Sequence, residues 1–272
     1  MSNLSSVTAN INIQQPELWN LLLSIHRKHI DLALYNQAEN NSLISATIPL
    51  NEDDNLKTVE NAVYDNPVLL SEFKQTRVLI NAPHFILIPP QLDQQHQPLL
   101  KTSFPDDNLE PAICNLPNCN LSIAYNTTVG LIPFLQRTFN NPPIAHRLMP
   151  LCEQLVTLNN YPTPRLYINL HGAQMDIIAF QDGKPLMANT FNIRNNADAT
   201  FLALHAAECL KLEPKQHEIQ LFGERTIQQE ITSQLRTYFR YVTPAPYPAQ
   251  ALKISQHANK VPLDLILLAI CE

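Results

Sequence analysis

The sequence predicts an α/β protein built from two copies of one domain, each a mixed five-stranded sheet flanked by helices. Two observations predict this fold. A hairpin-like segment of alternating apolar and polar residues occurs twice, and each occurrence is followed by a similar order of strand-like and helix-like patterns. A chain of 272 residues has room for two such domains.

The repeated segment aligns residues 25–36 with residues 170–181 without a gap. After a two-residue slip, residues 43–48 align with residues 186–191. The matched positions include His26 with His171 and Asp31 with Asp176. Chance similarity stays open at this stage, because two unrelated amphipathic hairpins would also agree in part.

Each copy continues with alternating helices and strands. In the first copy we expect a helix capped within residues 51–54 and reaching Val63, strands at 121–125 and 144–146, and helices at 131–139 and 151–158. In the second copy we expect a helix capped by Asn195 or Asn196, strands at 217–222 and 239–243, a further short strand at 251–255, and helices at 225–238 and 262–271.

These patterns predict three parts of the chain. Residues 1–20 are a polar N-terminal segment, residues 21–162 the first domain and residues 163–272 the second, with a proline-rich hinge at 161–164 between them. The first domain has an insertion at about 76–117, which contains two strand-like runs at 77–80 and 85–88.

Composition excludes several function classes. The chain has 4 glycines, where average usage of roughly 7% would give about 19. Because loops that wrap nucleotide phosphates need glycine, this shortage is evidence against Walker, Rossmann and kinase-type nucleotide sites. The net charge of −6 predicts no nucleic-acid partner.

Location and redox state follow from the termini and the cysteines. Residues 1–15 contain no Lys or Arg ahead of the first apolar run, so we expect no secretory signal and a cytoplasmic location. The apolar run at 263–270 is shorter than the ~20 residues that span a bilayer, so we expect no membrane span. Five irregularly spaced cysteines predict reduced thiols, and Cys114 with Cys119 is too small a ligand set for zinc, so no metal is expected.

Four phrases of the sequence, at residues 23–26, 85–90, 184–191 and 267–272, resemble a domain family of unknown function from the Bacteroidetes, of the DUF3822 type. The resemblance covers nearly the whole chain after residue 20. Members of that family are similar in fold to actin-like, ribonuclease-H-like ATPases, a group that includes the pilus-assembly protein PilM, the division protein FtsA and the secretion protein GspL. The resemblance therefore implies two actin-like domains.

The resemblance also implies where a nucleotide would bind. Actin-like ATPases hold phosphate on two hairpins, and the second has the pattern Asp-x-Gly-Gly-Gly-Thr-x-Asp. In this sequence the first hairpin has no glycine, and the second keeps only one glycine and the final acid of the pattern. The degenerate positions are Ser24, His26, Asn169, His171, Gly172, Gln174 and Asp176. Since these side chains would fill the volume that phosphate needs, we expect no catalytic residue and no cofactor.

Some of these residues have alternative interpretations. His26 and His171 could bind an anion or a metal, although a loop histidine is more often satisfied by backbone groups. Asp31 and Asp176 are expected to accept hydrogen bonds from loop N–H groups.

Two surfaces are candidates for partners. Arg225, Arg236 and Arg240 predict a solvated face, with a patch for RNA or an acidic partner as the alternative. Residues 85–88 are apolar and flanked by prolines, which is typical of an edge strand that docks another chain, although core packing is the plainer interpretation.

The leading hypothesis is a non-catalytic protein with an actin-like fold, a degenerate pseudo-ATPase that serves as an interaction or scaffold module with an unidentified protein partner. The first alternative is an ATP-binding ATPase whose loops use asparagine where relatives use glycine, since asparagine tolerates the left-handed conformation. The second is a small-ligand or RNA-associated binding protein.

Overall fold

A computed structural model describes residues 11, 13–39, 42–50, 55–106, 108–158, 162–223 and 225–271. The chain divides into two compact units. The first consists of residues 1–115, 122–151 and 248–272, and the second of residues 116–121 and 152–247. The predicted polar segment 1–20 and the predicted hinge at 161–164 lie partly outside the described residues.

The described residues form thirteen strands and eight α-helices. The strands are β1 (Asn20–Ile25), β2 (His29–Tyr35), β3 (Ile44–Pro49), β4 (Gln75–Ile80), β5 (Phe85–Ile88), β6 (Leu109–Leu116), β7 (Leu121–Thr128), β8 (Ile144–His146), β9 (Arg165–His171), β10 (Gln174–Gln181), β11 (Lys184–Asn192), β12 (Glu218–Gly223) and β13 (Tyr241–Pro244). The helices are α1 (Leu56–Tyr64), α2 (His96–Ser103), α3 (Leu131–Thr138), α4 (Met149–Leu158), α5 (Asn196–Cys209), α6 (Arg225–Leu235), α7 (Ala251–Ile254) and α8 (Leu263–Ile270).

The first unit contains a mixed five-stranded sheet in the order β3-β2-β1-β4-β8. The three strands from β1 to β3 form an antiparallel meander, whereas β4 and β8 join β1 in parallel. Every residue of β1 is buried, and α8 packs against this strand. The centre of this sheet therefore lies in the hydrophobic core.

The second unit repeats this arrangement in the order β11-β10-β9-β12-β13. The strands from β9 to β11 are antiparallel, and β12 and β13 are parallel to β9. The core includes fully buried Ile168, Ile177, Ile219 and Leu235. The predicted mixed five-stranded sheets are confirmed, and their identical strand order is consistent with the predicted duplication.

Two strand assignments of the sequence analysis differ from the structure. Residues 77–80, expected inside the insertion, belong to β4 beside β1 in the main sheet, where Val78, Leu79 and Ile80 are buried. Residues 121–125, expected in the main sheet, belong to β7 in a separate three-stranded sheet of order β5-β7-β6. The inserted elements thus lie between β4 and α3 and start later than the expected residue 76. The sequence analysis placed β4 inside the insertion because its pairing with β1 joins residues far apart in the chain, which no local pattern shows.

The C-terminal part also differs from the expectation. Residues 251–254 form the helix α7, not a strand. Residues 248–272 group with the first unit, whereas the sequence analysis ended the second domain at 272. The packing of α8 against β1 explains this grouping.

Equivalent helices start with the same cap. The side chain of Asn55 accepts a hydrogen bond from the N–H of Thr58 at the start of α1, at 3.0 Å. Asn195 accepts one from the N–H of Asp198 at the start of α5, at 2.9 Å. The Asn195 cap was predicted, whereas the cap expected within residues 51–54 falls on residues outside the described part. No helix among the described residues is long and apolar enough to span a membrane.

Candidate functional site

A row of polar side chains crosses three strands of the first sheet. The strand register places Ser24 of β1 beside Asp31 of β2, and Asp31 beside Thr47 of β3. Because side chains alternate between the two faces of a sheet, His26 and His29 point to the same face as this row. The β1–β2 hairpin therefore brings hydroxyl, carboxylate and imidazole groups together; we call these five residues with Asp264 the first-hairpin cluster.

His26 belongs to a chain of hydrogen bonds whose direction is fixed at one end. The Nε of Arg147 can only donate, and it donates to Oδ1 of Asn81 at 3.1 Å. The Nδ2 of Asn81 therefore faces the imidazole and donates to Nδ1 of His26 at 2.9 Å. His26 then has its proton on Nε2, which donates to Oγ of Ser24 at 3.0 Å. Ser24 in turn donates to Oδ2 of Asp264 at 2.7 Å.

Burial and hydrogen bonding set the charges of two residues in this cluster. Burial lowers the pKa of His26 to about 4, and the carboxylate of Asp264 opposes this effect only in part. Burial alone would raise the pKa of Asp31, but hydrogen bonds from His29 and Thr47 outweigh it and hold the pKa below its ordinary value. Near pH 7, His26 is therefore neutral and Asp31 is ionised.

A second imidazole lies over the first. The rings of His26 and His29 stack with centroids 4.3 Å apart and planes inclined by 13°. Oδ2 of Asp31 lies 3.3 Å from Nε2 of His29 and 3.6 Å from Nε2 of His26, while Oδ1 accepts from Thr47 at 2.6 Å. The His29 side chain is 38% exposed and that of His26 only 9%, so His29 forms the solvent side of the cluster.

The second hairpin repeats the row with different side chains. Asn169 of β9, Asp176 of β10 and Thr190 of β11 lie side by side. Fully buried Asp176 accepts from Thr190 at 2.8 Å and from Nδ2 of Asn169 at 2.9 Å. Nε2 of His171 lies 3.1 Å from the same carboxylate. Gln174 occupies the position equivalent to His29, and its side chain bonds to Asn192 at the surface.

The structure thus brings most of the predicted positions into two clusters. Ser24 and His26 lie together in the first unit, and Asn169, His171 and Asp176 lie together in the second. Gly172 sits in the second turn with a φ of 56°, next to Gln174. The expectation that loop N–H groups bind the two aspartates differs from the structure, which shows side-chain donors, because both residues lie within strands.

Four residues that contact one another at the first hairpin were missed by the sequence analysis: His29, Asn81, Arg147 and Asp264. The alternation of the hairpin could have identified His29, which lies two residues before Asp31 on the same face. Asp264 lies 240 positions from Ser24 in the sequence, so no local pattern could have connected the two. Thr47 stood in the aligned repeat opposite Thr190, but its role appears only with the strand register.

The other predicted features have structural roles. Burial raises the pKa of Cys114 to about 11 and that of Cys119 to about 12, as expected for inert thiols. Arg236 donates to the carbonyl of Val242, and Arg240 lies over the ring of Tyr241, 5.2 Å from its centre.

The apolar run at 85–88 contributes to the core of the inserted subdomain. Its strand, β5, is an edge strand of the three-stranded sheet, as the docking hypothesis requires. However, Phe85 and Ile88 are buried, and Ile88 packs with Leu100 and Ala124.

The sequence of residues 8–242 matches the family described as a protein of unknown function, DUF3822. The chain belongs to this family. No match is found among curated proteins. The DUF3822 chain is similar in structure to a Bacteroides thetaiotaomicron protein with an actin-like ATPase fold and unknown function, with a TM-score of 0.80, 17% identity, and coverage of 96% of this chain and 99% of the other. It is also similar to a chain of the PilM–PilN type IV pilus biogenesis complex, with a TM-score of 0.57, 11% identity, and coverage of 93% and 99%.

These similarities confirm two predictions for the DUF3822 chain. The family suspected from the sequence is the family that matches. The fold is the actin-like ATPase fold, with mixed sheets flanked by helices in both units.

Proposed function

We propose that this DUF3822 protein is a non-catalytic interaction or scaffold module with the actin-like fold, whose two phosphate hairpins have lost nucleotide binding. The observation that supports this most directly is the way the hairpin positions are used. Side chains that relatives omit at these positions are present here and are committed to one another, as in the chain of bonds from His26 through Ser24 to Asp264.

Several contacts at the first hairpin oppose phosphate binding. A phosphate oxygen bound at a hairpin needs backbone N–H groups at close approach, which glycine permits. The N–H of His26 instead donates to the carbonyl of His29 at 2.9 Å, and the two imidazoles stack directly beyond it. The carboxylates of Asp31 and Asp264 would also repel phosphate.

The second hairpin supports the same proposal. Asn169 stands where relatives have the acid that organises Mg²⁺, and its amide is used as a donor to Asp176. His171 faces the same carboxylate.

The rival ATPase hypothesis needs left-handed asparagines in the hairpin turns. Among the described residues, the asparagines with positive φ are Asn120, Asn140 and Asn141. All three lie outside the turns that follow β1 and β9, so asparagine does not substitute for glycine there.

One comparison favours protein interaction as the role of this scaffold. A structural neighbour comes from a complex of two proteins, PilM and PilN, and by analogy the partner of this chain is a protein. Fold similarity alone sets no partner identity.

Thermal unfolding of the full chain with and without Mg-ATP tests the proposal. A nucleotide present at one hundred times its Kd would stabilise the chain by about 2.7 kcal/mol. We expect no change in Tm at millimolar Mg-ATP. A clear rise in Tm at millimolar Mg-ATP would overturn the proposal, because it would show that the chain still binds a nucleotide.

A further inference from the structure

The first-hairpin cluster also contains a group of metal-ligating atoms. His26, His29 and Asp31 each offer one ligand atom, and these three atoms lie within 4.8 Å of one another. Within the part of the chain that the structure describes, this is the one group of three or more histidine, cysteine or acidic residues with such spacing.

A fourth ligand comes from a distant helix. Oδ2 of Asp264, near the start of α8, lies 4.0 Å from Nε2 of His26, and its side chain is 10% exposed. The cluster therefore combines two imidazoles with two carboxylates. Nitrogen ligands disfavour Mg²⁺ and Ca²⁺, which prefer oxygen, whereas two histidines with carboxylates are a ligand set that Zn²⁺ accepts.

We propose that His26, His29, Asp31 and Asp264 form a zinc site in the first unit. Bonds of 2.0–2.1 Å in a tetrahedral site place ligand atoms about 3.3 Å apart. The separations from Asp31 to the two imidazoles, 3.3 and 3.6 Å, already have this size. The His26–Asp264 separation, 4.0 Å, has to shorten by about 0.7 Å.

The surroundings orient these ligands as an outer shell does in a metal site. The Thr47 hydroxyl donates to the outer oxygen of Asp31 at 2.6 Å, and the Ser24 hydroxyl donates to Asp264 at 2.7 Å. Zinc binding moves the proton of His26 from Nε2 to Nδ1. The side chain of Asn81 lies 2.9 Å from Nδ1. To accept this proton, Asn81 has to turn its amide oxygen toward Nδ1 and give up the hydrogen bond from Arg147.

Access and flexibility favour the same site. The most exposed ligand, His29, lies on the solvent side, where a hydrated ion arrives. The stacked rings are nearly parallel, so one imidazole has to tilt for both nitrogens to point at one ion. The exposed ring of His29 has the freedom to do so.

The second hairpin is an internal control. It has a histidine and an aspartate at the positions of His26 and Asp31, namely His171 and Asp176. However, Gln174 replaces His29, and Asp176 is already bonded to Asn169 and Thr190. The same fold therefore presents one hairpin with a complete ligand set and one without.

Isothermal titration of the full, chelator-treated chain with Zn²⁺ tests this proposal, with Mg²⁺ titrated in parallel. We expect one zinc ion per chain and no heat from Mg²⁺. His29→Gln, which copies the second hairpin, is expected to weaken zinc binding at least roughly tenfold. His171→Gln, the same substitution on the second hairpin, should leave it unchanged. Because the His29 side chain is exposed and glutamine can also donate to Asp31, the His29→Gln variant should keep a Tm close to that of the wild type in the absence of metal.

Other results would overturn the proposal. One is the absence of zinc binding by the wild-type chain, and another is equal weakening by His29→Gln and His171→Gln. A third is loss of binding in Cys209→Ala, because the exposed thiol of Cys209 lies 3.8 Å from His205 and would then be the zinc ligand.

Discussion

The two hairpins share a threonine, an aspartate and a histidine in equivalent positions, and they differ in the other side chains around the aspartate. In both, a threonine of the third strand donates to one oxygen of an aspartate, at 2.6 Å for Asp31 and 2.8 Å for Asp176. In both, a histidine faces the other oxygen. The first hairpin adds a second imidazole and a carboxylate from α8, whereas the second adds only the amide of Asn169.

This difference indicates which polar residues stabilise a hairpin and which are available for binding. In the second hairpin, Asp176 accepts from Asn169 and Thr190 on the two neighbouring strands, as expected for a row that stabilises the hairpin. The first hairpin instead reaches Asp264, 240 positions away in the sequence, and leaves His29 at the surface. Ligand binding is therefore expected at the first hairpin. The second hairpin shows the hydrogen bonds that this part of the fold has when no ligand site is present.

Replacement of the two aspartates should produce the largest contrast. Asp176→Ala leaves the buried amide of Asn169 without its acceptor and is expected to lower the free energy of unfolding by about 3 kcal/mol. Asp31→Ala should cost only about 1 kcal/mol, because Thr47 is exposed and can bond to water instead. Urea denaturation of both variants measures the difference, and equal losses would contradict the assigned roles.

The last residue of β12 has to be a glycine, whereas the equivalent residue of β4 in the first sheet does not. Gly223 has a φ of 123°, and a Cβ there would lie 2.5 Å from the carbonyl oxygen of Leu170. Gly223→Ala should therefore lower stability by about 2 kcal/mol. At the equivalent position of the first sheet, Ile80 pairs with Ile25 without such a constraint. Gly183→Ala is the matched control, since it also has positive φ but open space for a Cβ, and it should cost less in the same denaturation experiment.

The buried carboxylate of Glu153 lacks the partners that Asp31 and Asp176 have. Glu153 accepts from Asn118 through one oxygen, while the other, Oε1, is buried without a hydrogen bond. Burial raises the pKa of Glu153 above its ordinary value of 4.5, so its stabilising contribution is complete below that pH and is lost as pH rises through the folded-state pKa. Glu153→Gln should raise stability at pH 7 by about 1 kcal/mol.

Thermal melts of the wild type and Glu153→Gln from pH 4 to 8 check this expectation. The advantage of the variant should grow as the pH rises. An advantage that shrinks toward neutral pH would mean that Glu153 is ionised and well paired in the folded protein.

Substitution of the two helix caps should have the smallest effect on the free energy of unfolding, and the effect should be nearly the same at both. Asn55→Ala and Asn195→Ala each remove one hydrogen bond to a backbone N–H at a helix start, at a cost of about 1 kcal/mol or less. Matched losses in chemical denaturation would support equivalent roles for α1 and α5. A large loss for only one of them would show that its asparagine does more than cap the helix.

The sequence predicted what depends on local pattern and missed what depends on distant pairing. The alternation at 25–36 and 170–181 identified both hairpins, and the fold class followed from the strand and helix order. The pairing of β4 with β1 was missed, because residues 77–80 are locally indistinguishable from any other short apolar run. For the same reason the sequence located His26 and His171 but not Asp264, whose position depends on the packing of α8.

The first hairpin is expected to bind zinc, and neither hairpin is expected to bind a nucleotide. Nuclear magnetic resonance of the full chain with ¹⁵N-labelled histidine imidazoles observes His26, His29 and His171 in one sample. Addition of Zn²⁺ should shift the signals of His26 and His29 and leave His171 in place, and Mg-ATP should shift none of the three. Movement of His26 and His171 together on addition of Mg-ATP would contradict the central claim that side chains have replaced phosphate at these hairpins.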